Sequence, residues 1–484
     1  MQDFFECSSE IPWLLRILDE ENQSRFRPNC KQTIGAITMF KYLCVKSWAG
    51  AAGIAAITLF FGSISSASAA DERGIDFGLD KASAGTEVPA VDVSLGMRPY
   101  ANDLIFVAGI KQGFYKDVGL TITPAPYGRK VLPDQAIPLL VNKQIDFMAL
   151  YPPDIIATMD SVQNIRFIAL TDLFQGFAIL ARPNSNMKTV GQFMSEGLTF
   201  EEAMKRTMAQ LKGKSFVTAP VVDNRIFLET VFSLGRMNME KDTKLVVTPD
   251  SNALQLESGG KIDFASPTGA PFTAQLRLAG WISLVTPLDV LTNMPAGLGS
   301  PTAALVGTPG VACDAQWARQ HAETVLRFTS VMFRIIEQEQ KVPDLMLKSM
   351  LDYVNSFAGT SLDIAGLKLT IDTLSPLSNF EFQKNYFDNQ NSALYYRTAF
   401  DAAVKFNVDK GVLPKGKYDA DDVIWAASVY HSLVALKQAA DDLLKRIEGS
   451  NLSAGNQALV DKAKQFYAWY DYLDAYRLLR VAGQ

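Results

Sequence analysis

Apolar and polar positions alternate in short stretches through the middle of the chain, in a pattern typical of mixed α/β proteins. Residues 91–95 are predicted as a strand that ends at Gly96, and residues 101–112 as a helix with Gly113 at its C-cap. Residues 120–123 are predicted as a second strand. A strand, a helix and a strand at this spacing indicate a βαβ unit, in which two parallel strands are joined by a crossover helix.

A later part of the sequence repeats this arrangement. Residues 145–147 and 262–264 both read Ile-Asp-Phe, both follow a short predicted helix, and both lead into prolines. The second copy has its own opening strand at residues 215–218. A three-residue match can arise by chance, but the shared context of helix, turn, strand and prolines favours two similar α/β lobes.

Helical periodicity dominates beyond Trp281. Amphipathic helices are predicted at residues 315–341, 344–356, 393–406, 423–446 and 458–481. The last of them carries Tyr467, Trp469, Tyr470 and Tyr472 at closely spaced positions. Aromatic residues in such a pattern more often pack against a core than bind a ligand, and we interpret them as a packing stripe.

An uncharged segment precedes the predicted lobes. No charged residue occurs between Lys46 and Asp71, and residues 49–61 are almost all apolar or small. Small residues follow at 66–70, as in the cleavage region of an export signal. A retained membrane anchor is the alternative, although this apolar stretch is shorter than the roughly 20 residues that a spanning helix needs.

We therefore expect residues 1–70 to comprise an N-terminal extension and a signal peptide, with the signal peptide proper at residues 39–70 beginning at Met39. The signal peptide is expected to be cleaved. The mature protein is then expected in the periplasm.

Histidine and cysteine are scarce in this sequence. The 484 residues include two histidines and four cysteines, and Cys313 is the one cysteine that follows the predicted signal peptide. His321 and His431 lie far apart in the sequence. We therefore expect no disulfide framework, no metal site, no cofactor and no enzymatic activity. The 46 basic and 51 acidic residues, with a net charge of −5, also argue against nucleic-acid binding.

Four segments of the sequence resemble one family of proteins. Residues 110–120, with the sequence IKQGFYKDVGL, contain a Gly-Phe-Tyr followed by Gly-Leu, and residues 141–147, 211–217 and 259–264 follow in the same order and spacing as in that family. The family is the periplasmic solute-binding proteins of ABC importers, in the nitrate, sulfonate and taurine group that also contains proteins resembling thiamine-pyrimidine synthases. The resemblance covers about residues 90–425.

The resemblance implies an α/β protein with the two-lobed class II periplasmic binding protein fold, whose lobes are joined by two crossing strands near residues 177–180 and 282–285. Lobe one is expected at residues 90–178 and 285–425, lobe two at residues 179–284, and a C-terminal helical extension at residues 426–484. The role of this helical tail is not indicated by the sequence.

The function implied by the resemblance is the extracytoplasmic solute-binding component of an ABC importer. Such a protein captures a small solute by lobe closure and delivers it to an ABC permease in the inner membrane. It is expected to act as a monomer. A membrane-tethered ligand-sensing module of the same fold is the alternative. An enzyme related to thiamine-pyrimidine synthesis would need histidine and cysteine chemistry, which the predicted mature chain lacks.

Candidate ligand-binding residues follow from the implied fold, because ligands of such sheets lie at the carboxyl ends of the strands, near helix N-termini. They are Arg98, Tyr100, Asn102, Tyr127, Arg129, Tyr151 and Asp154 in lobe one, and Asp223, Asn224, Arg225, Ser266 and Thr268 in lobe two. The three arginines favour an anionic solute such as a sulfonate, a carboxylate or nitrate. The three tyrosines favour equally well an aromatic or pyrimidine-like ring. Taken singly, each of these arginines could equally be a surface residue, and each tyrosine a packing residue, instead of a ligand-binding one.

The exported protein is predicted to begin near Ala70 or Asp71, because the small residues before this point suit signal peptidase. Amino-terminal sequencing of the exported protein measures this directly. An exported form that still begins at Met1 would contradict cleavage.

Overall fold

The computed structural model describes residues 74–75, 77–294, 305, 307–392, 394–449 and 451–483. The predicted N-terminal extension and signal peptide lie outside the described residues. Residues 72–484 form one compact unit. Within the described part of the chain, no helix combines the length and the apolar character needed to cross a membrane.

Eleven strands are described, and they form two separate sheets. They are β1 (Val91–Met97), β2 (Leu120–Thr123), β3 (Arg129–Lys130), β4 (Phe147–Leu150), β5 (Ile165–Leu170), β6 (Ile179–Ala181), β7 (Ser215–Thr218), β8 (Lys244–Val247), β9 (Phe264–Ser266), β10 (Ile282–Val285) and β11 (Gly310–Asp314). We call the half of the molecule that is built on each sheet a lobe. The residue boundaries predicted for the lobes remain a prediction.

The first sheet has the strand order β2-β1-β4-β11-β5, with β3 paired to the end of β1. β1 is parallel to β2, β3 and β4, and β11 is antiparallel to both of its neighbours. The second sheet has the order β10-β6-β9-β7-β8, with β7 parallel to β8 and β9. In each sheet the parallel strands end at one common edge, where loops and helix N-termini gather.

The α-helices surround these sheets and extend beyond them. They are α1 (Ala101–Lys111), α2 (Phe114–Asp117), α3 (Ala136–Val141), α4 (Pro152–Ile156), α5 (Val190–Ser195), α6 (Phe200–Ala209), α7 (Val222–Leu234), α8 (Met239–Asp242), α9 (Asp250–Ser258), α10 (Ala270–Leu278), α11 (Pro287–Asn293), α12 (Ala315–Gln320), α13 (Ala322–Lys341), α14 (Pro343–Ala358), α15 (Ile364–Leu369), α16 (Lys384–Phe387), α17 (Tyr396–Asp409), α18 (Ala426–Ile447), α19 (Ala454–Ala468) and α20 (Tyr472–Ala482).

The predicted βαβ unit is confirmed, with one difference at the end of its first strand. β1 continues through Gly96 to Met97. A Cβ atom added to Gly96 would lie 2.4 Å from the Met148 sulfur and 2.8 Å from Ile145 Cδ1. Glycine at this position therefore allows close packing between neighbouring side chains and does not end the strand.

The Ile-Asp-Phe repeat makes the same contact in both lobes. In lobe one, the Ser94 backbone N–H and hydroxyl both donate to Asp146 Oδ2 at 2.7 Å, and the Asp146 N–H donates back to Ser94 Oγ at 2.8 Å. In lobe two, Ser215 donates to Asp263 in the same way at 3.1 and 2.9 Å, and the Asp263 N–H donates back at 2.8 Å. The shared contact supports an internal structural repeat.

Two predicted helices are each divided in the structure. The pattern at 315–341 forms α12 and α13, which meet at His321, a residue with non-helical backbone angles. The pattern at 458–481 forms α19 and α20, and Asp471 caps α20 by accepting the Asp474 N–H at 3.1 Å. Neither break contains a glycine or a proline, and the apolar periodicity continues across both. The sequence therefore gives no signal that either helix ends there.

The two lobes are connected by paired strands. β6 enters the second sheet, β10 leaves it, and the two run antiparallel side by side. A bridging segment, residues 359–376, makes a further connection. Its Ser361 N–H donates to the Gln275 side chain of lobe two at 2.7 Å. Its Leu374 carbonyl accepts a hydrogen bond at 2.7 Å from the N–H of Gln175, which lies between β5 and β6.

The C-terminal helices α18–α20 pack against lobe one, and their contact with α13 contains a buried ion pair. Arg327 donates two hydrogen bonds to the Asp474 carboxylate, at 2.7 and 3.0 Å, with both side chains almost fully buried. Asp474 also pairs with Arg477, which donates to the carbonyls of Ser83 and Glu87 at 3.1 and 3.0 Å. The tail therefore ties the beginning of the described chain to lobe one.

The aromatic residues of the tail pack as predicted. The Phe380 ring lies 5.9 Å from Tyr470 and 5.5 Å from Tyr472, centroid to centroid. Tyr467 lies 5.1 Å from Tyr472, and the Arg334 guanidinium lies 4.1 Å from the Trp469 ring. These contacts confirm a packing stripe.

Asp474→Ala is predicted to lower the free energy of unfolding by about 3–5 kcal/mol, because it leaves the buried Arg327 guanidinium without its main partner. Urea unfolding measures the change. Asp409→Ala is the matched control, since Asp409 and its partner Lys405 are largely exposed, and it should cost at most about 1 kcal/mol. Equal losses in the two variants would contradict the role of the buried pair.

Candidate functional site

A cavity of about 630 Å³ lies between the two lobes, where the parallel strands end. This volume falls within the range of small-molecule binding sites. Lobe one contributes residues that follow β1 and β4, together with residues 132–138, and lobe two contributes residues that follow β7 and β8. The end of α14 closes one side with Phe357 and Ala358.

The wall of the cavity is mainly apolar. Five prolines line it, namely Pro99, Pro133, Pro138, Pro220 and Pro249. The aromatic rings of Tyr100, Phe272 and Phe357 line it as well. Because proline has no backbone N–H, these positions offer no main-chain donors, and the wall suits an apolar or flat ligand body.

Arg98 lies at the end of β1 and is buried between two carboxylates. Its Nε donates to Asp103 Oδ2 at 2.8 Å, and its Nη1 lies 3.3 Å from Asp154 Oδ2. The Arg98 backbone N–H also donates to Asp103 at 3.1 Å. The guanidinium carbon lies 4.9 Å from the centre of the Tyr100 ring. The positive charge of Arg98 is thus already matched by carboxylates of lobe one.

Three further features of the site are carboxylates in the first turns of helices. Asp154 lies in α4, Asp223 in α7 and Asp250 in α9, each shortly after a strand. Burial, together with the nearby Asp154 carboxylate, raises the pKa of Asp223 to about 8. Burial also raises the pKa of Asp250 to about 6 and the pKa of Asp154 above its ordinary value. The helix N-termini therefore do not fully offset the loss of water around these groups.

Tyr100 connects the two lobes. Its hydroxyl lies beside the side chain of Thr268, which follows β9 in lobe two. Thr268 donates through its backbone N–H to Asp250 at 3.1 Å, and its hydroxyl also bonds that carboxylate. The Tyr100 ring packs against Gly269, where an added Cβ would lie 2.6 Å from the ring. A side chain at residue 269 would therefore push the lobes apart at this point.

Tyr151 lies beside the same carboxylates and is 4% exposed. Burial raises the pKa of its hydroxyl, and the Asp223 and Asp154 charges raise it further. The hydroxyl rests against Gly307, and among the described residues none hydrogen-bonds it.

The structure brings together six of the candidate residues predicted from the sequence. Arg98, Tyr100 and Asp154 line the cavity, and Tyr151, Asp223 and Thr268 contact or interact with those that line it. Their binding of a ligand remains a prediction.

Three other candidates are buried polar residues that stabilise the loops behind the cavity. Asn102 is buried and lies near the buried carboxylate of Asp172. Asn224 donates to Thr218 Oγ1 at 2.8 Å and to the Ser266 carbonyl at 3.2 Å, and the Ser266 hydroxyl donates to Asn224 at 3.1 Å. This network joins β7, β9 and α7.

The remaining candidates lie outside the cavity lining. The Tyr127 ring meets Tyr353 edge-on at 5.7 Å, and Arg129 is exposed on the short edge strand β3. Arg225 pairs with Glu229 at 2.7 Å and with Glu240 at 2.5 Å on the outer side of α7. Two residues after Asp223, an α-helix has turned by about 200°, so Arg225 points away from Asp223.

The sequence-based reasoning missed Asp250 and Phe357. Asp250 follows β8 by three residues, so the rule that ligands lie at strand ends could have found it. Phe357 has no such signal, because it belongs to α14 and is brought to the cavity only by the tertiary fold. Across the described residues, no group of three or more His, Cys, Asp or Glu side chains is placed to hold a metal ion.

Solved structures share this architecture at low sequence identity. The periplasmic nitrate-binding protein NrtA from Synechocystis PCC 6803 has a TM-score of 0.50 at 12% identity, covering 73% of this chain and 90% of its own. The alkanesulfonate-binding protein SsuA from Xanthomonas axonopodis pv. citri has a TM-score of 0.47 at 15% identity, covering 71% and 99%. The desulfurization enzyme DSZB has a TM-score of 0.45 at 12% identity, covering 71% and 99%. No curated protein matches.

The fold is therefore the α/β, two-lobed periplasmic binding protein fold, and helices are present at the C-terminus, as predicted. The model of the NMT1-like family matches residues 86–337, just over half of the chain. This span includes both predicted Ile-Asp-Phe strands and the cavity residues from Arg98 to Phe272. The resemblance found in the sequence is confirmed, and the chain belongs to the NMT1-like family.

Proposed function

We propose that this protein is the extracytoplasmic solute-binding component of an ABC importer. In this function it captures a small solute between its lobes in the periplasm and delivers it to a membrane permease. The single observation that carries the proposal is the cavity of about 630 Å³ whose wall is shared by both lobes. A solute in that cavity contacts both lobes at once, so its binding energy favours the arrangement in which they are close together.

The connection between the lobes supports such a motion. The paired strands β6 and β10 are the crossing strands, and contacts from the bridging segment at residues 359–376 lie beside them. Tyr100 of lobe one, which lines the cavity, also interacts with Thr268 of lobe two. A hinge at one side of a cavity, with polar contact across it, is the arrangement expected for lobe closure.

The chemistry of the site supports binding without reaction. Cys313 is buried within β11, and burial raises the pKa of its thiol, which makes it a poor nucleophile. The Asp and Tyr side chains around the cavity can accept and donate hydrogen bonds to a solute. The nitrate-binding protein with the same fold is an analogy for this function.

We predict that the purified protein retains a small molecule from a metabolite extract, and that Ala157→Trp abolishes retention by filling the cavity that Ala157 lines. Ala435→Trp, on the exposed face of α18, is the matched control and should retain as much as the unmodified protein. Mass spectrometry of the bound fraction measures retention. Bound solute should also raise thermal stability, by roughly 2.7 kcal/mol at about 100 times its dissociation constant.

Small-angle X-ray scattering with and without the retained molecule tests closure. A smaller radius of gyration with solute is expected. The proposal fails if Ala157→Trp and the unmodified protein retain the same molecules, or if nothing is retained.

A further inference from the structure

The charges around the cavity do not balance. Among the described residues that line it, Arg98 is the single base, while Asp134, Asp154 and Asp250 are acids. Arg98 is already shared between Asp103 and Asp154. Among the described residues, Arg98 is the one cation whose charge acts on Asp223, and none acts appreciably on Asp250.

The groups that face each of these two carboxylates are acidic or neutral, apart from Arg98. Asp223 faces Asp154, Arg98 and Tyr151, and its Oδ1 accepts the neighbouring Asn224 N–H at 2.7 Å. Asp250 interacts with Thr268, Tyr100 and Glu257. The arginine next in sequence, Arg225, is committed to Glu229 and Glu240 on the outer face.

These carboxylates are costly in the empty protein. A charge taken out of water without a partner is unfavourable, and the group then holds its proton to a higher pH. The raised pKa values of Asp223, Asp250 and Asp154 reflect this cost. A positively charged group would therefore complement this cavity.

We propose that the solute is a small organic cation, a protonated amine or amidine on an apolar or aromatic body, whose N–H groups are accepted by Asp154, Asp223 and Asp250. The inference rests on the proposed function and identifies its ligand class. The rings of Tyr100, Phe272 and Phe357 receive the body of the solute. A cation near such rings gains further stabilisation from their π-systems.

The same charges connect ligand binding to lobe closure. Asp154 belongs to lobe one and Asp223 to lobe two, and each raises the energy of the other's charged form. At neutral pH this repulsion keeps a proton on Asp223 when no cation lies between the lobes. A cation between the two groups allows both to ionise and attracts each of them, so it binds the closed form more tightly than the open form.

This ligand class differs from the anionic solute expected from the sequence. That expectation rested on Arg98, Arg129 and Arg225. Arg129 and Arg225 lie outside the cavity lining, and Arg98 is matched by two carboxylates. An anion in the cavity would meet Asp223 and Asp250 with no free base to offset them.

A matched ligand panel tests the proposal by thermal shift and calorimetry. Benzylamine and benzamidine are the cations, benzoate and benzenesulfonate the anions, and benzyl alcohol the neutral control with the same ring. Stabilisation by the cations and not by the anions is the expected result. Stabilisation by the anions alone, or no response to either cation, overturns the proposal. Retention of a metabolite that Ala157→Trp abolishes would still uphold the proposed function in that case.

Asp223→Asn is predicted to weaken benzamidine binding by about 10- to 100-fold, the scale of one lost hydrogen bond to a charged group, while raising the thermal stability of the ligand-free protein. The second effect follows because asparagine replaces a carboxyl group that must take up a proton when the chain folds at neutral pH, and it distinguishes a binding role from simple damage to the fold. Glu240→Gln on the outer face is the control for charge and should leave the affinity unchanged.

Asp250→Asn gives an independent second test. Unchanged affinity in both Asp variants contradicts the proposal.

Benzamidine binding at pH 7 is predicted to release protons. Asp223, with a pKa of about 8, is largely protonated in the empty protein, and a neighbouring cation lowers that pKa. The affinity should therefore rise from pH 6 to pH 8, because benzamidine stays protonated throughout this range. Calorimetry in buffers of different ionisation enthalpy measures the proton release. Proton uptake on binding would contradict the assignment.

Discussion

The net charge of the cavity between the lobes depends on how one buried arginine is paired. A guanidinium at the end of β1 cannot remain buried without partners, and Arg98 finds them in Asp103 of α1 and Asp154 of α4. An unpaired Arg98 would make the cavity a site for anions. Because it is paired, the remaining carboxylates of lobe two determine the electrostatics of the site.

The wider architecture holds these groups in place without contributing to the cavity itself. The Ser94–Asp146 and Ser215–Asp263 contacts join neighbouring strands in each sheet, away from the strand ends that carry the polar site residues. The tail acts at a greater distance, through the Arg327–Asp474 pair and the carbonyls held by Arg477. None of the described tail residues lines the cavity, and the contacts of the tail are with lobe one and the beginning of the described chain.

The strand-end positions of the site were predictable because they depend on local pattern. Arg98, Tyr100, Asp154 and Asp223 each follow a strand that apolar alternation identifies, and parallel strands place their carboxyl ends together. The direction of each side chain was not predictable in this way. Arg225 is turned outward by the phase of α7, which depends on the packing of that helix against its lobe. Phe357 reaches the site from a helix that the sequence places more than two hundred residues beyond Tyr151.

Charged residues at a ligand site must be counted together with their partners. Three arginines near strand ends indicate an anion only if their charges are free and face the site. Arg98 and Arg225 are paired with carboxylates, and Arg129 is exposed outside the cavity lining. A shared fold does not determine the charge of the ligand, because a few side chains at the strand ends set the charge of the cavity while the sheets stay the same. Members of one fold can therefore bind ligands of opposite charge. The carboxylates that face each other across the lobes then make the ligand's charge the factor that permits closure.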